Sequence, residues 1–124
     1  MRPYWAILLF ALVGCSSSES PRVPVYGRVT IRGTALHSGA ISFTPDRQHG
    51  SDGPTQRADL AANGQFRVPK GGLCPGWYRV TVASLDVRLP VRLRDPDATG
   101  IVREVVGGRD NILNIELDSQ LANR

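Results

Sequence analysis

Hydrophobic and polar positions alternate with a period of two along most of the chain beyond residue 24. Val25, Gly27, Val29 and Ile31 interleave with Tyr26, Arg28, Thr30 and Arg32, which turns one set toward a core and the other toward solvent. Gly33 and Thr34 break that run. Ile41 and Phe43 then alternate with Ser42 and Thr44 in a second strand, closed by Pro45, which has no N–H for a ladder. Residues 46–55 are polar and form the longest loop. Residues 56–60 fit a short strand, and Asn63-Gly64 is a tight-turn pair that tolerates positive φ, so a hairpin leading into Phe66 and Val68 is expected. Tyr78, Val80 and Val82 face one way, and Trp77, Arg79 and Thr81 the other. The apolar stretch 101–106 does not alternate cleanly and leaves its facing open. Leu113, Ile115 and Leu117 alternate with Asn114 and Glu116 in a last strand. Seven short strands with turn signals between them predict an all-β chain, a single antiparallel β-sandwich of Greek-key type. Thirteen Gly and nine Pro, scattered without a repeat, interrupt any long helix and point the same way.

Composition narrows the function classes. A chain of 124 residues holds one domain and leaves no room for a separate catalytic one. Fifteen Lys+Arg against eleven Asp+Glu give a net charge of +4, short of the dense basic stripe of a dedicated nucleic-acid binder. Beyond the first ten residues the aromatics are Tyr26, Phe43, Phe66, Trp77 and Tyr78, and the core claims most of them, so no base-stacking platform remains. No nucleic-acid partner is expected.

The N-terminus carries a targeting pattern. Arg2 precedes an uncharged apolar run from Tyr4 to Val13, the size of a signal-peptide core and about half of what spans a bilayer. The run ends in Leu12-Val13-Gly14-Cys15, which resembles the lipobox of bacterial lipoproteins. That resemblance implies recognition of Leu12, Val13 and Gly14 by the processing peptidase, cleavage before Cys15, and attachment of diacylglycerol to its thiol. The expected organisation is a signal peptide over 1–14, a flexible Ser- and Pro-rich lipidated tether over 15–24, a sandwich domain over 25–118 and a short tail over 119–124. By the same resemblance, Ser16 rather than Asp after the lipidated cysteine favours the outer membrane. The expected location is the cell envelope, with the membrane as partner through Cys15.

Candidate chemistry is sparse. With Cys15 lipidated, Cys74 has no intrachain partner, and with no His nearby to activate it, it reads as a half-buried loop thiol. His37 and His49 fit no zinc spacing and are expected as solvated loop residues. Asp46 with Asp52, and Asp95 with Asp97, are oxygen ligands that calcium could use, although neither pair fits an EF-hand loop. Arg88, Arg92 and Arg94 cluster in a connector; acidic lipid headgroups or an envelope polysaccharide are conceivable partners, but a solvated face neutralised by Asp86, Asp95 and Asp97 is the plainer expectation. No catalytic, cofactor-binding or metal-ligating residue is assigned.

The order Val25-x-Gly27-x-Val29, Gly33, Leu36, Gly39-x-Ile41-x-Phe43-x-Pro45, Asn63-Gly64-x-Phe66 and Gly76-x-Tyr78-x-Val80-x-Val82 resembles the carboxypeptidase regulatory-like domain. Leu89-Pro90, the stretch from Asp95 to Gly100, Val105, Gly107-Gly108 and the stretch from Asn111 to Leu117 are similar to the version carried by bacterial lipoproteins. Ala35 departs from the family's usual Pro after the first turn. The resemblance implies a seven-stranded transthyretin-like sandwich without catalytic machinery. The expectation is therefore a lipid-anchored envelope protein with a non-catalytic binding or structural module. The alternative is an enzyme or enzyme accessory acting on envelope polysaccharide or peptide, its site on loops such as 46–55.

Overall fold

The computed structural model describes residues 21–118, so the leader, Cys15 and the expected tail lie outside the described residues. The regular elements are β1 (Val25–Ile31), β2 (Thr34–Ala35), β3 (Ala40–Pro45), β4 (Gln56–Asp59), β5 (Gln65–Arg67), β6 (Gly76–Ala83), β7 (Val102–Val105), β8 (Asn111–Ile112) and β9 (Ile115–Glu116), with short 3-10 turns at Arg47–His49 and Val91–Arg94. They form two sheets packed face to face, the expected all-β sandwich. Inward positions match the alternation: Val25, Val29, Phe43, Ile41, Val80, Val82, Ile115 and Leu117 are almost wholly buried.

One sheet is built around β1. Antiparallel to it along one edge run β5, which places Phe66 opposite Gly27, and β2, which pairs Ile31 with Thr34. Along the other edge β8 and β9 run parallel to it, in one register that sets Val25 against Asn111 and Val29 against Ile115. The last strand is thus parallel to the first, a detail that alternation cannot report because it is blind to direction. The second sheet has the order β4-β3-β6-β7 and is antiparallel throughout.

The expected hairpin around Asn63-Gly64 needs correction. The turn exists, closed by Gly64 N–H to Ala61 O and Ala61 N–H to Gln65 O. However, β4 pairs with β3 in one sheet while β5 pairs with β1 in the other. The turn therefore carries the chain across the sandwich. Ala58 and Leu60 before it and Phe66 and Val68 after it are all buried, so both arms face one core from opposite sides. The Phe66 ring meets Phe43 of the facing sheet at 5.8 Å, and Phe43 meets Tyr78 edge-on at 6.4 Å.

Packed contacts begin inside the stretch expected as tether. Val23 is buried and bridges Leu73, and the Arg22 guanidinium donates to Gly72 O at 2.8 Å. The long connector after β6 fills the edge that β7 leaves uncovered: Leu93 is fully buried, Val80 N–H donates to Ile101 O, and the Thr99 hydroxyl donates to Val80 O at 2.7 Å. Among the described residues all members of the core cluster lie between Val23 and Leu117, so a chain beginning at Ser16 keeps that cluster.

Two core substitutions test this packing. Phe66→Ala is expected to lower unfolding free energy by about 3–5 kcal/mol, read from the urea midpoint. Gly27→Ala is expected to be at least as damaging although it adds one methyl, because its Cβ would sit 1.9 Å from Leu113 O, backbone that no rotamer can move. A melting temperature unchanged by either would refute the arrangement of β1.

Candidate functional site

The most organised polar cluster lies where β3 ends. Pro45 stops the ladder, and Asp46 follows as the N-cap of the 3-10 turn Arg47–His49, accepting from Gln48 N–H at 3.0 Å. Its main chain is held too: Asp46 N–H donates to Trp77 O, and Asp46 O accepts from the amides of His49 and Ser51. The carboxylate is only 1% exposed as a residue, so it must find partners inside the protein. It finds two partners: His49 Nδ1 lies 2.7 Å from Oδ2 and the Arg79 guanidinium, through Nε, 3.2 Å from Oδ1.

Both partners are themselves fixed. The His49 ring stacks on Trp77 at 4.6 Å with an interplanar angle of 21°. Arg79 reaches past Asp46 to Asp97 at 3.0 Å and to Pro96 O at 3.4 Å, tying the connector to β6. Ser51 Oγ accepts from Trp77 N–H at 2.8 Å and pins the far side of the 46–55 loop. Burial by itself raises the Asp46 carboxyl, but the His49 hydrogen bond, the Gln48 amide and the Arg79 guanidinium together outweigh it and hold the carboxyl below its ordinary value. A shallow concavity lies over the cluster, lined by Asp46, His49, Arg79, Asp97, Thr99 and Val102 among others.

The candidate calcium ligands are thus divided among other tasks. Asp46 and Asp97 come together only through Arg79. Asp52 stands on the surface beside Arg47 at 3.3 Å, and Asp95 Oδ1 accepts the Asp97 amide. Among the described residues no group of three or more His, Cys, Asp or Glu has metal-binding geometry. The expectation of solvated loop histidines holds for His37, exposed and 3.1 Å from Asp86. His49 is exposed as well, but it is also stacked on Trp77 and bonded to a buried acid, which the sequence reading does not foresee. The signal available was local, an Asp followed at the third position by His; the Trp77 and Arg79 contacts span too much sequence for spacing to reveal. Cys74 is half-buried, as expected, and its carbonyl accepts the Tyr78 hydroxyl at 2.7 Å.

A second polar grouping sits on the outer face of the β1 sheet. Arg67 lies over the Tyr26 ring at 4.5 Å, and the Tyr26 hydroxyl donates to Asp110 at 3.2 Å. That hydrogen bond, with minor burial, raises the phenol above its ordinary value. These contacts order the strand surface around Gly27, where the groove also includes Arg28, Gln65 and Asn114.

No family model matches the chain, and no curated protein does. Among solved structures, a DUF3823 family protein from Parabacteroides merdae aligns with a TM-score of 0.52 at 18% identity, covering 79% of this chain and 46% of that one. A DUF3823 family protein from Bacteroides ovatus aligns with a TM-score of 0.49 at 16% identity, covering 77% and 44%. The chain thus spans a little under half the length of these proteins, and the likeness to the first is one of β-rich fold.

The Asp46 cluster makes stability depend on acid. The folded carboxyl titrates below the unfolded value of 3.8, so its contribution is complete above that value and disappears as pH falls through it toward the lower folded one. The melting temperature should therefore drop on acidification below about pH 4. Asp46→Asn should melt lower than wild type near about pH 6 and show a shallower acid slope; parallel slopes would show that another group carries the effect.

Proposed function

We propose that the protein is a lipid-anchored component of the cell envelope whose sandwich is a non-catalytic binding module. The observation that carries this reading is where the chain joins the body. Val23 docks against Leu73 at one pole, immediately after the Ser- and Pro-rich residues that follow Cys15. A lipid on Cys15 would hold the body by that pole and leave the other free. The resemblance to the carboxypeptidase regulatory-like domain of bacterial lipoproteins supports the same reading, as does the Asp46 carboxylate, whose oxygens are spent on holding a loop. The anchor is tested directly: Cys15→Ala is expected to abolish acyl incorporation and move the protein from the membrane to the soluble fraction. An acylated, membrane-bound Cys15→Ala protein overturns the anchor.

One observation favours the enzymatic alternative. A buried carboxylate bonded to His49 Nδ1 orients an imidazole whose other nitrogen has no partner among the described residues, the arrangement that prepares a histidine to move a proton. The non-catalytic reading holds if the purified chain hydrolyses peptides, esters and glycans no faster than background and chelators leave its melting temperature unchanged. Turnover that is lost in His49→Gln would replace it.

A further inference from the structure

A concavity of 650 Å³ opens at the pole opposite the Val23–Leu73 bridge, between the β1–β2 turn and the connector that leaves β6. Arg32, Arg88 and Arg94 line it, with Ser84 and Val87 between them and Val91 at its rim. Its charged lining is wholly cationic, whereas four other concavities among the described residues each include at least one carboxylate. The acids expected to neutralise these arginines are occupied elsewhere. Asp86 pairs with His37, Asp97 with Arg79, and Asp95 with the Asp97 amide. Asp118, beside the turn, accepts the Arg32 main-chain N–H at 2.6 Å. Among the described residues the guanidiniums of Arg32, Arg88 and Arg94 have no ion-pair partner. The Ser84 oxygen accepts the amides of Asp86 and Val87, which leaves its hydroxyl proton to donate.

The backbone at Arg32 adds an independent observation. Arg32 and Gly33 form the two-residue turn between β1 and β2, with φ of 51° and 75°. Asn, Asp or Gly normally fill the first position of such a turn, because a larger side chain is strained there. An arginine in this place sets a guanidinium at the cleft against the local conformational preference, the pattern of strain kept for a side chain's use. Apolar groups stand beside the charge: Val91 is 70% exposed, and Leu85, which shares an adjoining groove with Arg94, is 87% exposed.

We propose that this cleft binds the phosphate of an anionic phospholipid headgroup. The guanidinium forks and the Ser84 hydroxyl take the phosphate oxygens, while Val91 and Leu85 enter the boundary between headgroups and acyl chains. Aliphatic side chains projecting beside arginines suit a soft anionic surface; a protein interface would seat such anchors in pockets. The site deepens the envelope-binding reading without using Cys15, since anchor and cleft belong to opposite poles.

The test uses the chain from Ser16 to the C-terminus, which keeps the core and has no residue 15 to lipidate, so failure of the anchor reading leaves its outcome untouched. It is expected to sediment with phosphatidylcholine vesicles containing roughly one-third phosphatidylglycerol, to ignore phosphatidylcholine alone, and to be released by salt. Arg88→Gln and Arg94→Gln should each weaken binding about five-fold. Arg32→Asn should weaken it comparably while melting no lower than wild type, because Asn suits the turn; this separates a binding role from a structural one. Leu85→Ser with Val91→Ser should weaken vesicle binding and leave stabilisation by inorganic phosphate intact. The proposal is overturned by equal binding to both vesicles, by binding to neither, or by Arg32→Asn that binds like wild type. It also fails if inorganic phosphate stabilises the chain without vesicle binding, which would mark a soluble anion as the ligand, or if polyglutamate displaces the chain as well as phosphatidylglycerol vesicles bind it, which would mark an acidic protein.

Discussion

Everything in the first sheet hangs on β1, which is paired on both edges and holds together β2, which follows it across a tight turn, and segments from two distant parts of the chain. Within it stands Gly27, where Phe66 lies opposite on one side and Leu113 crosses so closely that no Cβ fits. A side chain there would push the last strand off the first, and with it Ile115 and Leu117, two of the most buried residues in the core. The absence of one methyl group is thus a condition for closing the sandwich.

Periodicity made much of this visible. Alternation identifies which residues of 25–31, 40–45, 76–83 and 113–117 face inward, because in a strand facing is a property of neighbouring residues. Partnership is different. Asn63-Gly64 identifies a reversal, yet whether a reversal closes a hairpin or crosses between sheets depends on what β4 and β5 can pair with elsewhere, and β3 and β1 claim them. The same limit hides the parallel pairing of the first and last strands. It also hides the Asp46 cluster, since the residues that make a buried carboxylate tolerable, Trp77 and Arg79, lie 31 and 33 positions away. For Arg88 and Arg94 the acids adjacent in sequence go elsewhere in space, Asp97 to Arg79 and Asp86 to His37, so proximity along the chain does not by itself become pairing.

Those pairings sort the charge of the molecule. Asp46 needs a cation because it is buried, and Arg79 on β6 is held between it and Asp97 on the connector. One guanidinium thereby binds two carboxylates and fixes the 46–55 loop and the connector against one strand. Asp97, once committed, cannot serve Arg94 or Arg88, whose side chains are left with solvent. The acid network around β6 and the uncompensated arginines at the far pole are two results of the same arrangement. The first contributes stability because burial would otherwise penalise the carboxylate. The second contributes little to the fold, because solvated arginines without partners do not hold a structure together. Surface charge that does nothing for folding, set partly on a strained turn residue, is better understood as serving something outside the molecule, and the chemistry it is matched to is an anion.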